Sequence, residues 1–90
     1  MKTIQKYELD INLLPQILML PGNFSFCGVM YQAAPEKALI FVEVDTTVPA
    51  VSRDFRLIQA NDEILDEDAI CLGSVQTAAL DIYHVLNVVL

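Results

Sequence analysis

From Ile11 to Pro35 the chain carries no charged side chain, and any fold must account for that stretch first. It is long enough to span a bilayer as a helix. It also holds Pro15, Pro21, Gly22, Asn12, Asn23, Gln16 and Gln32. Proline breaks a helix, and unpaired polar groups are costly in lipid. The segment therefore reads as two strands around a turn in a soluble protein. Gln16–Leu20 is the first strand and Phe24–Gln32 the second, with Pro21-Gly22-Asn23 between them. Proline presets φ there, while glycine and asparagine tolerate positive φ. Gly28 inside the second strand predicts a bulge or a close backbone approach.

The flanking sequence has the same character. Thr3–Leu9 alternates with a period of two, as a half-buried strand does. Ala34-Pro35-Glu36-Lys37 is a turn, and Ala38–Asp45 begins apolar on both faces, the mark of a central strand. These last two strands read as a hairpin. Ser52–Gln59 alternates again, and Ala69–Leu72 is a short apolar strand ending at Gly73. Residues 74–89 satisfy two patterns. Val75, Ala78, Ala79, Ile82, Val85, Leu86 and Val89 fit helical spacing with Ser74 as cap. The density of β-branched and aromatic residues fits a strand equally well. The expected fold is mainly β, a single domain over residues 1–90. It would be a small antiparallel sandwich or barrel-like sheet of about six strands, with α+β and a C-terminal helix as the alternative.

Ninety residues make one domain, and a chain this short buries a modest core. Yet 54% of its residues are hydrophobic, more than such a core needs. The surplus points to a subunit or partner interface, and a homo-oligomer is expected. The net charge of −7 excludes a basic footprint for nucleic acid or an anionic membrane. It permits a basic protein partner. The N-terminal residues lack the apolar core of a signal peptide, so a cytoplasmic setting is expected.

The chain resembles a family of small phage and bacterial proteins classed as a domain of unknown function. The resemblance lies in Lys6-Tyr7-Glu8-Leu9, Leu18-Met19-Leu20-Pro21, Gln32 in its strand and Ile40-Phe41-Val42-Glu43-Val44-Asp45. It continues through Arg53-Asp54-Phe55-Arg56, Leu72-Gly73-Ser74 and Tyr83-His84-Val85. It implies a compact β domain, with a strand near the C-terminus, and brings no activity with it. Leu13-Leu14 and Phe24–Cys27 are more apolar than that pattern, and the chain runs on through Asn87–Leu90.

Little in the sequence has the form of a catalytic site. Cys27 and Cys71 stand apart in apolar settings and read as buried free thiols. With His84, the only histidine, and Asp81 they offer a nucleophile–base–orienter set, but a thiolate needs an electropositive site that neither has. No glycine-rich phosphate loop, GxSxG or HExxH occurs, and no cofactor or metal is expected. Arg53 and Arg56 fall on opposite faces of a strand and read as charges guarding a sheet edge.

The segment from Asp62 to Asp68 concentrates acids at Asp62, Glu63, Asp66, Glu67 and Asp68. It lacks the glycine and alternating ligands of a calcium loop. A solvated loop is its simplest role, and a surface for a basic partner its functional one. The expected function is a non-enzymatic protein-interaction domain, phage or prophage encoded, that binds or occludes a host or phage protein. Its partner would be another protein, with no direct contact to nucleic acid or membrane. The alternatives are an acidic inhibitor of a bacterial defence or nucleic-acid-binding complex, a small structural homo-oligomer, and a Cys/His hydrolase.

Overall fold

The uncharged stretch resolves into two strands that part company. In the computed structural model, which describes residues 1–59, 62 and 69–88, the strand before Pro21 and the strand after Asn23 lie in different sheets. The order is β1 (Lys2–Asp10), β2 (Gln16–Pro21), β3 (Phe24–Ala33), β4 (Glu36–Asp45), β5 (Ala50–Gln59), β6 (Ala69–Gln76) and β7 (Ile82–Val88). One sheet has the order β1-β4-β3 and the other β2-β5-β7-β6, with every pairing antiparallel. The fold is an all-β sandwich, with seven strands among the described residues where about six were expected. β3 and β6 lie against each other where the sheets meet, but exchange no strand pairing, so no barrel closes.

Alternation sets the core. On the inner face of the three-stranded sheet, Leu9, Ala38, Ile40, Val42 and Val44 are buried. The other sheet contributes Leu20, Phe55, Leu57, Val75 and Val85. A line of edge-to-face aromatic contacts ties the layers together. Phe26 of β3 meets Phe55 of β5 at 6.1 Å between ring centroids, and Phe24 meets Phe26 at 5.6 Å. Such pairs add about 0.5–1.5 kcal/mol each beyond their buried area. The Arg53 guanidinium lies 5.5 Å over the Phe24 ring.

Arg53 and Arg56 do fall on opposite faces, but they guard no edge. Their strand β5 is flanked by β2 and β7. Arg53 caps an aromatic ring, while Arg56 pairs with Asp54 at 3.2 Å. The expected edge-protecting role is replaced by two packing roles.

The ambiguous C-terminal segment is β7, not a helix. Its place between β5 and β6 explains why both patterns fit. Its backbone is paired on both sides and its side chains are buried on both faces, Val85 toward the core and Leu86 and Val88 on the opposite face. Consecutive apolar residues then imitate helical spacing. β6 runs past Gly73 to Gln76 because that glycine sits at a shift in register opposite β7 instead of ending the strand. The shift at Gly28 was legible in advance: Cys27 is the extra residue between Phe26 and Gly28. A Cβ at Gly28 would meet nothing, so it serves a bulge and not a close approach. At Gly73 the reverse holds, with a Cβ falling 2.6 Å from Val29 Cγ2.

Candidate protein-binding site

The β6–β7 hairpin turns through Thr77, Ala78, Ala79 and Leu80. The Leu80 N–H donates to the Thr77 carbonyl at 2.9 Å, and the Thr77 N–H donates to the Asp81 carbonyl at 2.9 Å. The Asp81 N–H donates to Thr77 Oγ1 at 3.2 Å. A β-turn followed by a left-handed residue is a common hairpin solution, and glycine or asparagine normally takes the left-handed place. Here a leucine does, with φ of 68°. Its side chain is 74% exposed, so burial does not offset the strain. A left-handed conformation costs a residue with a Cβ about 1–2 kcal/mol.

Leu80 does not stand alone. With Gln59, Asp81 and Ile82 it lines an open depression of about 350 Å³ at one end of the four-stranded sheet. Ile82 is 44% exposed. Gln59 connects this apolar pair to the acids. Its N–H donates to the Asp62 carboxylate at 2.9 Å, its carbonyl accepts from the Asp62 N–H at 3.1 Å, and its side-chain amide reaches Tyr83 Oη at 3.3 Å. Of the acids expected to meet a partner, Asp62 is therefore bonded to a residue that lines the depression, without lining it itself. Glu63, Asp66, Glu67 and Asp68 lie outside the described residues. The sequence pattern does not single out Leu80 and Ile82 as surface residues, because a leucine and an isoleucine in an apolar run look like core. The signal was a four-residue hairpin turn lacking glycine or asparagine.

The cysteine–histidine set is not assembled this way. His84 Nδ1 lies 2.6 Å from Ser74 Oγ, its cross-strand neighbour. Cys71 pairs across from Leu86, and Cys27 is in the other sheet. Both thiols are free and exposed rather than buried. Cys27 is the extra residue of the β3 bulge, and Cys71 lies in register opposite Leu86, on the face of β6 away from the core. Ser74, read as a possible helix cap, instead hydrogen-bonds the histidine on a sheet face. A second cavity, lined by Lys2, Asn23, Ser25, Glu43, Val44 and Asp45, is about 30 Å³, room for little more than a water molecule. Among the described residues no three His, Cys, Asp or Glu side chains gather as a metal site.

The Asp45 carboxylate organises the opposite end of the molecule. It accepts from Thr47 Oγ1 at 2.7 Å, from the Thr47 N–H at 3.0 Å and from the N-terminal ammonium at 3.1 Å. These bonds hold its pKa down to about 2, the Thr47 contacts contributing most.

No curated protein and no solved structure matches the chain. A family model described as a domain of unknown function, DUF7352, matches residues 1–89. With nearly the whole length matched, the chain belongs to the DUF7352 family.

Proposed function

We propose that the domain is a non-enzymatic protein-interaction module that binds and occludes a partner protein through the Leu80 end of its four-stranded sheet. One observation carries the reading: a leucine held in a left-handed turn with its side chain in water. A turn that served only to reverse the chain would be better served by glycine. Strain retained at an exposed apolar residue is the pattern of a contact surface. Leu80 and Ile82 supply apolar area to bury. Asp62 and Asp81 beside them, on a chain of net charge −7, select a partner with basic residues around an apolar recess. The likeness of the sequence to small phage and bacterial proteins makes a phage or prophage origin part of the proposal, with a bacterial or phage protein as the target.

The test is capture from bacterial lysate on the immobilised protein, run beside Leu80→Glu and a Met19→Glu control. Met19 is exposed on β2. A stoichiometric partner held by the parent and by Met19→Glu, and lost by Leu80→Glu, supports the site. A partner that Leu80→Glu retains moves the contact elsewhere. Loss of the partner at high salt assigns part of the affinity to the acids, as an acidic inhibitor requires.

A further inference from the structure

The edges of the two sheets are not alike. β3 and β6 lie against one another, and β2 is short and ends in Pro21. β1 is different. It is nine residues long, contains no proline, keeps an unbroken register with β4, and among the described residues pairs on that side only. On its other side the backbone donors and acceptors from Lys2 to Glu8 face no strand among the described residues, whereas the Asp10 N–H and C=O are held by the Gln16 side chain at 2.7 and 2.8 Å.

The side chains on its outer face are Lys2, Ile4, Lys6, Glu8 and Asp10, basic toward the N-terminus and acidic toward the C-terminus. Edge lysines commonly discourage pairing. Here that role fails against an identical strand, because antiparallel pairing sets the basic half of one copy against the acidic half of the other. The terminal charges are already used: Lys2 pairs with Glu43 and Asp10 with Lys37. Among the described residues neither Lys6 nor Glu8 belongs to an ion pair. These two flank Tyr7.

We infer that β1 is a homodimer edge, pairing antiparallel with β1 of a second copy about a two-fold axis at Tyr7. Directly opposed residues in such a pair share a face. This register therefore sets Lys6 against Glu8 of the partner subunit, and by symmetry Glu8 against Lys6 of the partner subunit. Ile4 falls opposite Asp10, and Tyr7 opposite its own symmetry mate. An axis at Lys6 or at Glu8 would instead oppose like charges at the centre. The register at Tyr7 satisfies both unpaired charges at once, and the result is a continuous six-stranded sheet. This surface is independent of the Leu80 end, which stays free in the dimer for the partner proposed above.

The test uses the full chain in sedimentation equilibrium, from about 1 to 200 µM at low salt. The parent is expected to dimerise. Lys6→Glu places acids opposite acids and Glu8→Lys places lysines opposite lysines. Each alone should weaken self-association on the order of tenfold or more. An equimolar mixture of the two should form a heterodimer, since every opposed pair is then of opposite sign, and Lys6→Glu with Glu8→Lys in one chain should restore the homodimer. Both side chains are exposed, and circular dichroism of each variant checks that the fold persists. A parent that stays monomeric throughout overturns the inference. A dimer indifferent to both reversals, or a mixture that fails to pair, overturns it as well.

Discussion

A methyl group at Gly73 is the sharpest probe of how the two sheets meet. A Cβ added there would sit 2.6 Å from Val29 Cγ2, far inside the 3.4 Å at which ordinary contact begins, while the other Val29 side-chain carbons would be at a comfortable 3.8 Å. Val29 cannot simply swing aside, because a β-branched side chain on a strand is stiff at χ1. Relief must come from moving β3 against β6. Overpacking of this kind costs about 1–3 kcal/mol, and for a domain of this size each kcal/mol lowers Tm by roughly 4–8 °C. Val29→Ala alone should cost roughly 1–2 kcal/mol for its lost methyl groups. Together, Gly73→Ala and Val29→Ala should shed the clash, since the new methyl enters space the valine has vacated, and keep beyond Val29→Ala only the cost of a Cβ at the Gly73 φ of 159°. Urea unfolding of the four proteins with a common m-value gives the coupling directly. A coupling of at least about 1 kcal/mol is expected. If the two changes add within about 0.5 kcal/mol, the contact between Gly73 and Val29 does not set the spacing of the sheets.

Three further outcomes follow from single sites. Leu80→Gly removes a left-handed penalty of about 1–2 kcal/mol at the cost of about 0.5–1 kcal/mol in unfolded-state freedom, so it should raise stability by roughly 0.5–1 kcal/mol. Calorimetry should show a higher Tm, and partner capture should weaken in the same variant, since the apolar contact is gone. The side-chain oxygen of Asn87 is buried without a hydrogen-bond partner among the described residues, on the core face opposite Phe55. Asn87→Leu should therefore stabilise by about 1 kcal/mol in urea unfolding, and a loss of stability would show that its amide is needed where it is. The Asp45 carboxyl should titrate near 2 in carbon-detected NMR, and Thr47→Val should move that midpoint up toward the ordinary 3.9 or so. Its folded pKa lies below the unfolded one, so its stabilisation is complete above about pH 4 and is lost as pH falls toward 2. An unchanged midpoint in Thr47→Val would show that the threonine hydroxyl is not the main cause.

Local chemistry determined which segments become strands. Alternation at Thr3–Leu9 and Ser52–Gln59, the doubly apolar run at Ala38–Val42, and the glycine at position 28 all reported their own backbone needs, because pleat and bulge are decided within a few residues. The sequence could not tell that Pro21-Gly22-Asn23 carries the chain from one sheet to the other. A turn signal states that the backbone reverses or bends, not which edge the next strand will find. The C-terminal segment became a strand for a tertiary reason: it fills the place between β5 and β6, where both strands pair with its backbone and Val85, Leu86 and Val88 are all buried. The same logic separates the surface from the core. Leu80 and Leu86 look alike in the sequence, yet one is set in water by a turn and the other buried in a sheet. The acids between Asp62 and Asp68 were plain from composition alone. The bond of Gln59 to Asp62 is local, but its place beside Leu80 and Ile82 depends on strand pairing between β5 and β7, which brings together residues far apart in the chain.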